Sequence, residues 1–137
     1  MRHDVRTGFE EMSVKSEASA EIEELLERAE NELLGSKQAW KQGNAGKGRV
    51  CARRAAGMAL RAWLLQEPNA TYGSNFMHHL GALADDESHE ISIRESAWRL
   101  AARGMPESGF IEPMPDPLVP ATDARSIMDW CCQRMKK

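Results

Sequence analysis

A chain of 137 residues with 42% hydrophobic side chains is long enough to fill one hydrophobic core, and we expect a single domain. Its 21 acidic and 18 basic residues leave a net charge of -3, which excludes a surface that is basic throughout and binds nucleic acid or anionic membranes along its whole length. Any site for a polyanion must therefore be local.

The beginning of the chain carries no targeting signal that we recognise. Residues 1–15 contain no apolar run of the signal-peptide kind, and no stretch approaches the ~18 apolar residues of a membrane span. We therefore predict a cytoplasmic protein with no membrane partner. The odd cysteine count (Cys51, Cys131 and Cys132), with no zinc-type spacing, predicts free thiols, no metal site and no cofactor.

The first 43 residues divide into a polar leader and a long helix. Residues 1–16 lack a sustained apolar period, which predicts a flexible leader. A folded domain is predicted over 17–137. From Ser19 onward, apolar residues recur at helical spacing, and Gly43-Asn44 is a typical left-handed helix end. The apolar positions are Ile22, Leu25, Leu26, Ala29, Leu33 and Trp40.

Four further helices are predicted, over 46–66, 74–84, 89–103 and from a Thr122 N-cap to the C-terminus. The second is rich in alanine, and its Ala55, Ala59 and Ala62 predict a close crossing at the centre of the fold. Residues 104–120 hold five of the six prolines and predict an extended segment packed on the helices. The predicted fold is an all-α, single compact bundle of four to five helices, mostly up-down.

The order of these segments is informative. An acidic and leucine-containing stretch at 29–34 (AENELL) precedes a gap at 42–44 (QGN), an alanine-rich stretch at 51–65 (CARRAAGMALRAWLL) and the stretch at 78–83 (HHLGAL). This succession, over roughly residues 20 to 135, resembles the HEPN superfamily of higher eukaryote and prokaryote nucleotide-binding domains. The resemblance implies a four- or five-helix bundle, often dimeric, that acts as a ribonuclease, a nucleotide-binding domain or a protein-interaction module.

The catalytic members of that family carry an arginine followed, after four to six residues, by a histidine. In this sequence the corresponding positions before His78 and His79 hold no arginine; they are occupied by Thr71, Tyr72, Gly73 and Ser74. That motif supplies a cation for phosphate beside an imidazole for proton transfer. The resemblance therefore predicts a non-catalytic HEPN-like domain.

His78 and His79 are nevertheless the best candidates for acid-base chemistry, because an imidazole titrates near neutrality. If the chain is a divergent ribonuclease or toxin component, one of them acts as the base and an arginine from elsewhere in the fold replaces the missing one. The alternative is that one histidine lies on the surface and the other is hydrogen-bonded at the edge of the core.

The second helix is basic, with no acidic residue between Lys47 and Gln66. Phosphate groups are candidate ligands for its arginines, since guanidinium groups bind phosphate oxygens in pairs; these arginines are Arg49, Arg53, Arg54 and Arg61. The alternative is that they pair with the glutamates of the first helix or are simply solvated. The four tryptophans, Trp40, Trp63, Trp98 and Trp130, are predicted to be core or interface residues.

The functional hypothesis from the sequence is a non-catalytic HEPN-like binding or interaction module, with nucleotide or RNA contacts through the basic helix face. Its expected partner is a second copy of the chain, as a homodimer, or another protein. The first alternative is the divergent ribonuclease that uses His78 or His79. The second is a helical-repeat scaffold for protein interactions, suggested by the first helix pair.

Overall fold

The computed structural model describes the backbone of residues 2–101 and 119–136, and side chains over 17–101 and 120–136. The described residues form five helices and contain no strand, which confirms the predicted all-α bundle. The helices are α1 (Arg2–Lys41), α2 (Ala45–Gln66), α3 (Phe76–Asp85), α4 (Ile91–Ala101) and α5 (Val119–Met135), with a 3-10 turn at Ala70–Tyr72 between α2 and α3.

A tight connection turns α1 back onto α2. Gly43 adopts a φ of 78°, a left-handed conformation that glycine reaches without steric cost. The Gly43 N–H donates to the Trp40 carbonyl at 3.1 Å and the Asn44 N–H to the Ala39 carbonyl at 2.8 Å, which is the Schellman pattern. The Asn44 side chain then caps α2 by accepting from the Lys47 N–H. The predicted helix end at Gly43-Asn44 is confirmed.

Helix α2 lies at the centre of the bundle and contacts all four other helices. Its alanines at the crossings are completely buried, as predicted; they are Ala52, Ala55, Ala56, Ala59 and Ala62. Two glycines extend this small-residue surface: the Trp40 ring of α1 packs on Gly48, and Phe76 of α3 packs on Gly57. These contacts bring the helix backbones close together and fix α1 and α3 against α2.

Helix α5 completes the core with the predicted apolar stripe. Ala124, Ile127, Met128 and Cys131 are buried. The helix begins at Val119, so Thr122 lies inside it and is not its N-cap, which corrects the sequence expectation. Pro120 is tolerated in the first turn because the N–H it lacks would have no partner within the helix there.

Other boundaries also differ from the sequence expectations. Helix α1 begins at Arg2 rather than at Ser19. Residues 1–16 were predicted to add little to the core, and their side chains lie outside the described set. Helix α3 begins at Phe76, one residue after its Asn75 cap. The predicted proline-rich extended segment at 104–120 lies outside the described residues except for Val119 and Pro120, which belong to α5.

None of the helices in the described part of the chain combines the length and the apolar character that a membrane span requires.

Candidate anion-binding groove and histidine sites

The four arginines proposed to bind phosphate do not share one surface. Arg53 Nε donates to the Leu100 carbonyl at the end of α4, at 2.6 Å. Arg61 Nη2 donates to the Ser74 carbonyl at 2.8 Å, before α3 begins. Arg54 instead lies beside α1, where its Nη2 is 3.5 Å from Glu32 Oε1, and Arg49 is half-buried. Arg53, Arg54 and Arg61 therefore contact three different helices or their ends.

A groove between α1 and α2 gathers cationic side chains from both helices. Its volume is about 370 Å³. The lining residues are Arg28, Asn31, Glu32 and Gly35 from α1 and Lys47, Cys51 and Arg54 from α2. Of the predicted phosphate ligands, only Arg54 lies here. Three cations face one carboxylate, so the groove is a local positive site on a chain with net negative charge.

The interactions within this groove leave its charge largely unneutralised. Arg54 and Glu32 form its ion pair, but the Arg54 side chain is 52% exposed, and exposed pairs contribute only ~0–1 kcal/mol. Helix α2 begins at Ala45 with no acidic residue in its first turn, so the positive end of its dipole lies next to Lys47. The groove therefore presents a positive potential to solvent.

The Cys51 thiol lines the same groove and is buried. Burial, followed by a hydrogen bond and the charge of Glu32, raises the pKa of Cys51 above its usual value. The group is therefore a neutral thiol near neutral pH, which makes it a poor nucleophile. Its role in the groove is to pack and not to react.

The phosphate ligands predicted from the sequence include Arg54 but neither Arg28 nor Lys47. The available signal was spacing: Lys47 and Arg54 are seven residues apart, close to two helical turns, and therefore share a face of α2. The arginines at 49, 53 and 61 follow steps of four residues, each of which rotates the side chain by about 40° around the axis. Over 12 residues that rotation separates Arg49 from Arg61.

His78 lies exposed near the start of α3. The Asn75 Oδ1 accepts from the His78 N–H at 2.9 Å, and the Asn75 Nδ2 is 3.2 Å from His78 Nδ1. Because the Nδ2 group can only donate, Nδ1 accepts and the imidazole proton lies on Nε2. Gly73, with a φ of 69°, provides the room for the His78 side chain.

His79 points into the bundle and is 3% exposed. Its Nδ1 is 2.8 Å from the Tyr72 carbonyl, so Nδ1 carries the proton and donates. The Nε2 atom is buried and has no hydrogen-bond partner among the described residues. Burial, together with the nearby Arg61 and His78, lowers the pKa of His79, although the Tyr72 contact opposes this. The two adjacent histidines therefore lie in different environments.

A second polar centre joins the 3-10 turn to the loop between α3 and α4. Asp86 Oδ2 accepts from the Tyr72 hydroxyl at 2.7 Å, and Oδ1 accepts from the Ser88 hydroxyl at 2.6 Å and the Ser88 N–H at 3.1 Å. His89 Nε2 lies 3.2 Å from Oδ2. Hydrogen bonds from Ser88 and then Tyr72 lower the pKa of Asp86 to about 2. Burial, followed by the bond to Asp86, raises the pKa of Tyr72.

Aromatic rings surround this centre. Trp63 meets Trp130, Tyr72 and His89 edge to face, with ring centroids 5.1 to 6.0 Å apart. The Arg134 guanidinium lies over the Trp130 ring at 4.7 Å. Because its rings pack against one another and Asp86 has hydrogen-bond partners, we interpret the cluster as a structural link between α2, α5 and the loop, in which the buried Arg134 Nε has no hydrogen-bond partner among the described residues.

Trp40, Trp63 and the cysteines follow the remaining sequence expectations, and for Trp98 the alternative of an interface residue stays a prediction. Trp63 is buried, and Trp40 packs on Gly48, but Trp98 is 60% exposed and belongs to no core. All three cysteines are free. In the part of the chain that the structure describes, no group of three or more His, Cys, Asp or Glu side chains is placed to hold a metal ion.

Comparisons of the chain with protein-family models, curated proteins and solved structures find no match. The HEPN-like order of motifs stays a prediction.

The Asp86 centre predicts a specific dependence of stability on pH. A carboxyl whose pKa falls from 3.8 to about 2 on folding stabilises the fold above the unfolded value, and this contribution is lost as the pH falls through about 2. We expect Asp86→Asn to lower the free energy of unfolding near neutral pH by roughly 1–3 kcal/mol. Urea denaturation near pH 7 and at acidic pH should show that the difference from the wild type shrinks on acidification.

The control for this experiment is Asp85→Asn. Asp85 is the exposed neighbour of Asp86, and its substitution by asparagine removes the same charge. A loss of stability in Asp85→Asn as large as in Asp86→Asn, or a difference that does not change with pH, would contradict the assignment.

Proposed function

We propose that this chain is a non-catalytic binding module that holds the phosphate groups of a nucleotide or an RNA strand in the groove between α1 and α2. The observation that carries the proposal is the convergence of Arg28, Lys47 and Arg54 from two helices on one groove with the single carboxylate of Glu32. Phosphate oxygens accept paired hydrogen bonds from guanidinium groups and a point charge from lysine.

The dimensions and lining of the groove support a phosphate ligand. A volume of about 370 Å³ lies within the range of small-molecule sites. The lining residues that the structure describes include no aromatic side chain on which a base would stack. The groove therefore favours contacts to phosphates, which are independent of base sequence.

The surroundings of the groove favour a short ligand over a long one. Glu24 and Glu27 are exposed on α1 within one turn of Arg28, and their charge repels a polyanion that extends beyond the groove. A nucleotide or a few nucleotides of RNA would fit within the positive region. The HEPN-like order of motifs independently suggests a nucleotide ligand.

Replacing the three groove cations tests the proposal. Arg28→Gln, Lys47→Gln and Arg54→Gln together should weaken binding of ATP or a short RNA by at least ~100-fold, because each charge-assisted hydrogen bond contributes roughly 1.5–3 kcal/mol. Affinity would be measured by titration calorimetry at about 50 and 200 mM salt, where loss of phosphate contacts should also flatten the salt dependence. The ATP and RNA arms distinguish the two sources of phosphate.

A matched control removes the same three charges elsewhere. Lys37→Gln, Lys41→Gln and Lys136→Gln alter exposed lysines outside the groove and should leave affinity within a few-fold of the wild type. Equal losses of affinity in the two triple variants would show that binding depends on the net charge of the protein and not on the groove. Absence of binding by the wild type to both ligands at millimolar concentration would overturn the proposal.

The position of Arg61 favours the divergent ribonuclease as a second candidate. This arginine is fixed at the start of α3 by its bond to the Ser74 carbonyl and by stacking over the Phe76 ring at 4.4 Å. His78 lies four residues after Ser74 and is exposed. Its Nδ1 contacts Asn75, whereas its protonated Nε2 does not. An arginine from another helix and an accessible imidazole thus lie at the same end of α3.

The ribonuclease candidate makes opposite predictions for the two histidines. Cleavage of RNA by the wild type should fall at least ~100-fold in His78→Ala, the range expected for loss of a general acid, since the accessible Nε2 carries the proton, and should persist in His79→Ala once the folded fraction is matched. Cleavage that does not depend on His78 would rule out this candidate. Cleavage would be followed with a labelled RNA beside a melting curve of each variant.

A further inference from the structure

Helices α1 and α2 run antiparallel along the groove, and two contacts show which of their residues face each other. Arg54 Nη2 lies 3.5 Å from Glu32 Oε1. A Cβ at Gly35 would lie 3.8 Å from Cys51 Sγ. A step of three residues forward along α1 is thus matched by a step of three residues back along α2. This register gives each lining residue a position along the groove.

The register separates the groove cations into two groups. Arg28 precedes Glu32 by about one helical turn, so it lies at the same end of the groove as Arg54. Lys47 lies at the other end, because the seven residues between it and Arg54 rise about 10 Å along the axis of α2. One end therefore carries two guanidinium groups beside one carboxylate. The other end carries the lysine beside the positive end of the α2 dipole.

The middle of the groove has no charged group and an open floor. Gly35 of α1 and the Cys51 thiol of α2 lie there. Packing does not require glycine at position 35, because Cys51 Sγ is the only atom from another helix, among the described residues, within 4 Å of a Cβ at this position. The backbone does not require it either, because Gly35 lies inside α1 without a positive φ. Glycine weakens a helix interior, and here it leaves space between two cationic ends.

We propose that the groove binds a ligand with two phosphates on opposite sides of a ribose, one phosphate at each cationic end and the sugar over Gly35. In a polyphosphate, neighbouring phosphorus atoms share an oxygen, so the chain is compact and occupies one end. Phosphates on the 3′ and 5′ oxygens of a ribose are held apart by the sugar, which matches two cationic ends and an uncharged middle. Because the ligand occupies the proposed phosphate groove, the assignment rests on that proposed function.

The first test compares adenosine 3′,5′-bisphosphate with ATP, which has the same base and sugar and a similar charge. Titration calorimetry at about 50 mM salt should give a dissociation constant at least ~10-fold lower for the bisphosphate, because the second cationic end adds charge-assisted contacts. Equal or tighter binding of ATP would overturn the assignment and leave the proposed function standing. Absence of binding by both ligands would overturn both.

An RNA strand and a free nucleoside bisphosphate share this chemistry, and a third ligand distinguishes them. Tighter binding of an adenylate trinucleotide with phosphates at both ends than of the bisphosphate would identify an RNA strand as the source. Equal or weaker binding of the trinucleotide would identify the free bisphosphate. Both results support two phosphates separated by a ribose, provided that the bisphosphate binds more tightly than ATP.

The second test fills the floor of the groove. Gly35→Leu places a side chain between the cationic ends and should lower the ratio of bisphosphate affinity to pyrophosphate affinity at least ~10-fold, because the compact pyrophosphate needs one end only. Gly35→Ala, which the 3.8 Å distance to Cys51 Sγ accommodates, should lower the same ratio by less. Neither variant should lower the urea midpoint, because leucine and alanine are better helix formers than glycine.

Gly81→Leu is the matched control. Gly81 is also a helical glycine, with no atom within 4 Å of its Cβ position, but it lies on α3 and does not line the groove. This variant should leave both affinities within a few-fold of the wild type. The assignment would be overturned by an affinity ratio that is unchanged in Gly35→Leu, or that falls to the same degree in Gly81→Leu.

Discussion

The side chains of α2 limit how closely every other helix can approach it. Five alanines on its buried face have no exposed surface, and Gly48 and Gly57 accommodate the rings of Trp40 and Phe76. With only methyl groups or hydrogen atoms between the backbones, α1, α3 and α5 pack at short distance and bury the remaining apolar residues around α2. The buried Ser36 hydroxyl also donates to the Gly48 carbonyl at 2.6 Å, which fixes the register of α1 against α2.

That register positions the candidate groove. It sets Arg28 and Asn31 of α1 beside Lys47 and Arg54 of α2, so a groove with excess positive charge forms on an acidic chain. Since the buried face of α2 carries no long polar side chain, its arginines lie at the edges of the helix. From there Arg53 and Arg61 reach carbonyls at the end of α4 and before α3, and Arg54 borders the groove. The same sequence feature thus determines packing and the distribution of charge.

The sequence predicts the parts of this structure that depend on local patterns. The α1–α2 connection follows from Gly43-Asn44, and the central position of α2 follows from its alanines, because each signal acts within one element. The groove was missed because it depends on the register between two helices, which the spacing within one helix does not reveal. The Asp86 centre was missed for a similar reason: its Tyr72 partner is 14 residues away, and the aromatic rings around it come from α2 and α5. Thr122 was mistaken for a cap because the tolerance of Pro120 in a first helical turn was overlooked.

The most direct test of the role of α2 is the stability of three glycine-to-alanine variants, measured by urea denaturation. Helix propensity alone predicts that all three gain about 0.5–1 kcal/mol. A Cβ at Gly48 would lie 2.6 Å from Trp40 Nε1, and one at Gly57 would overlap Phe76, whereas one at Gly81 of α3 meets no atom within 4 Å. We therefore predict that Gly81→Ala raises the free energy of unfolding, while Gly48→Ala and Gly57→Ala lower it by roughly 1–3 kcal/mol through overpacking. Equal stabilisation of all three variants would contradict the close approach of α1 and α3 to α2.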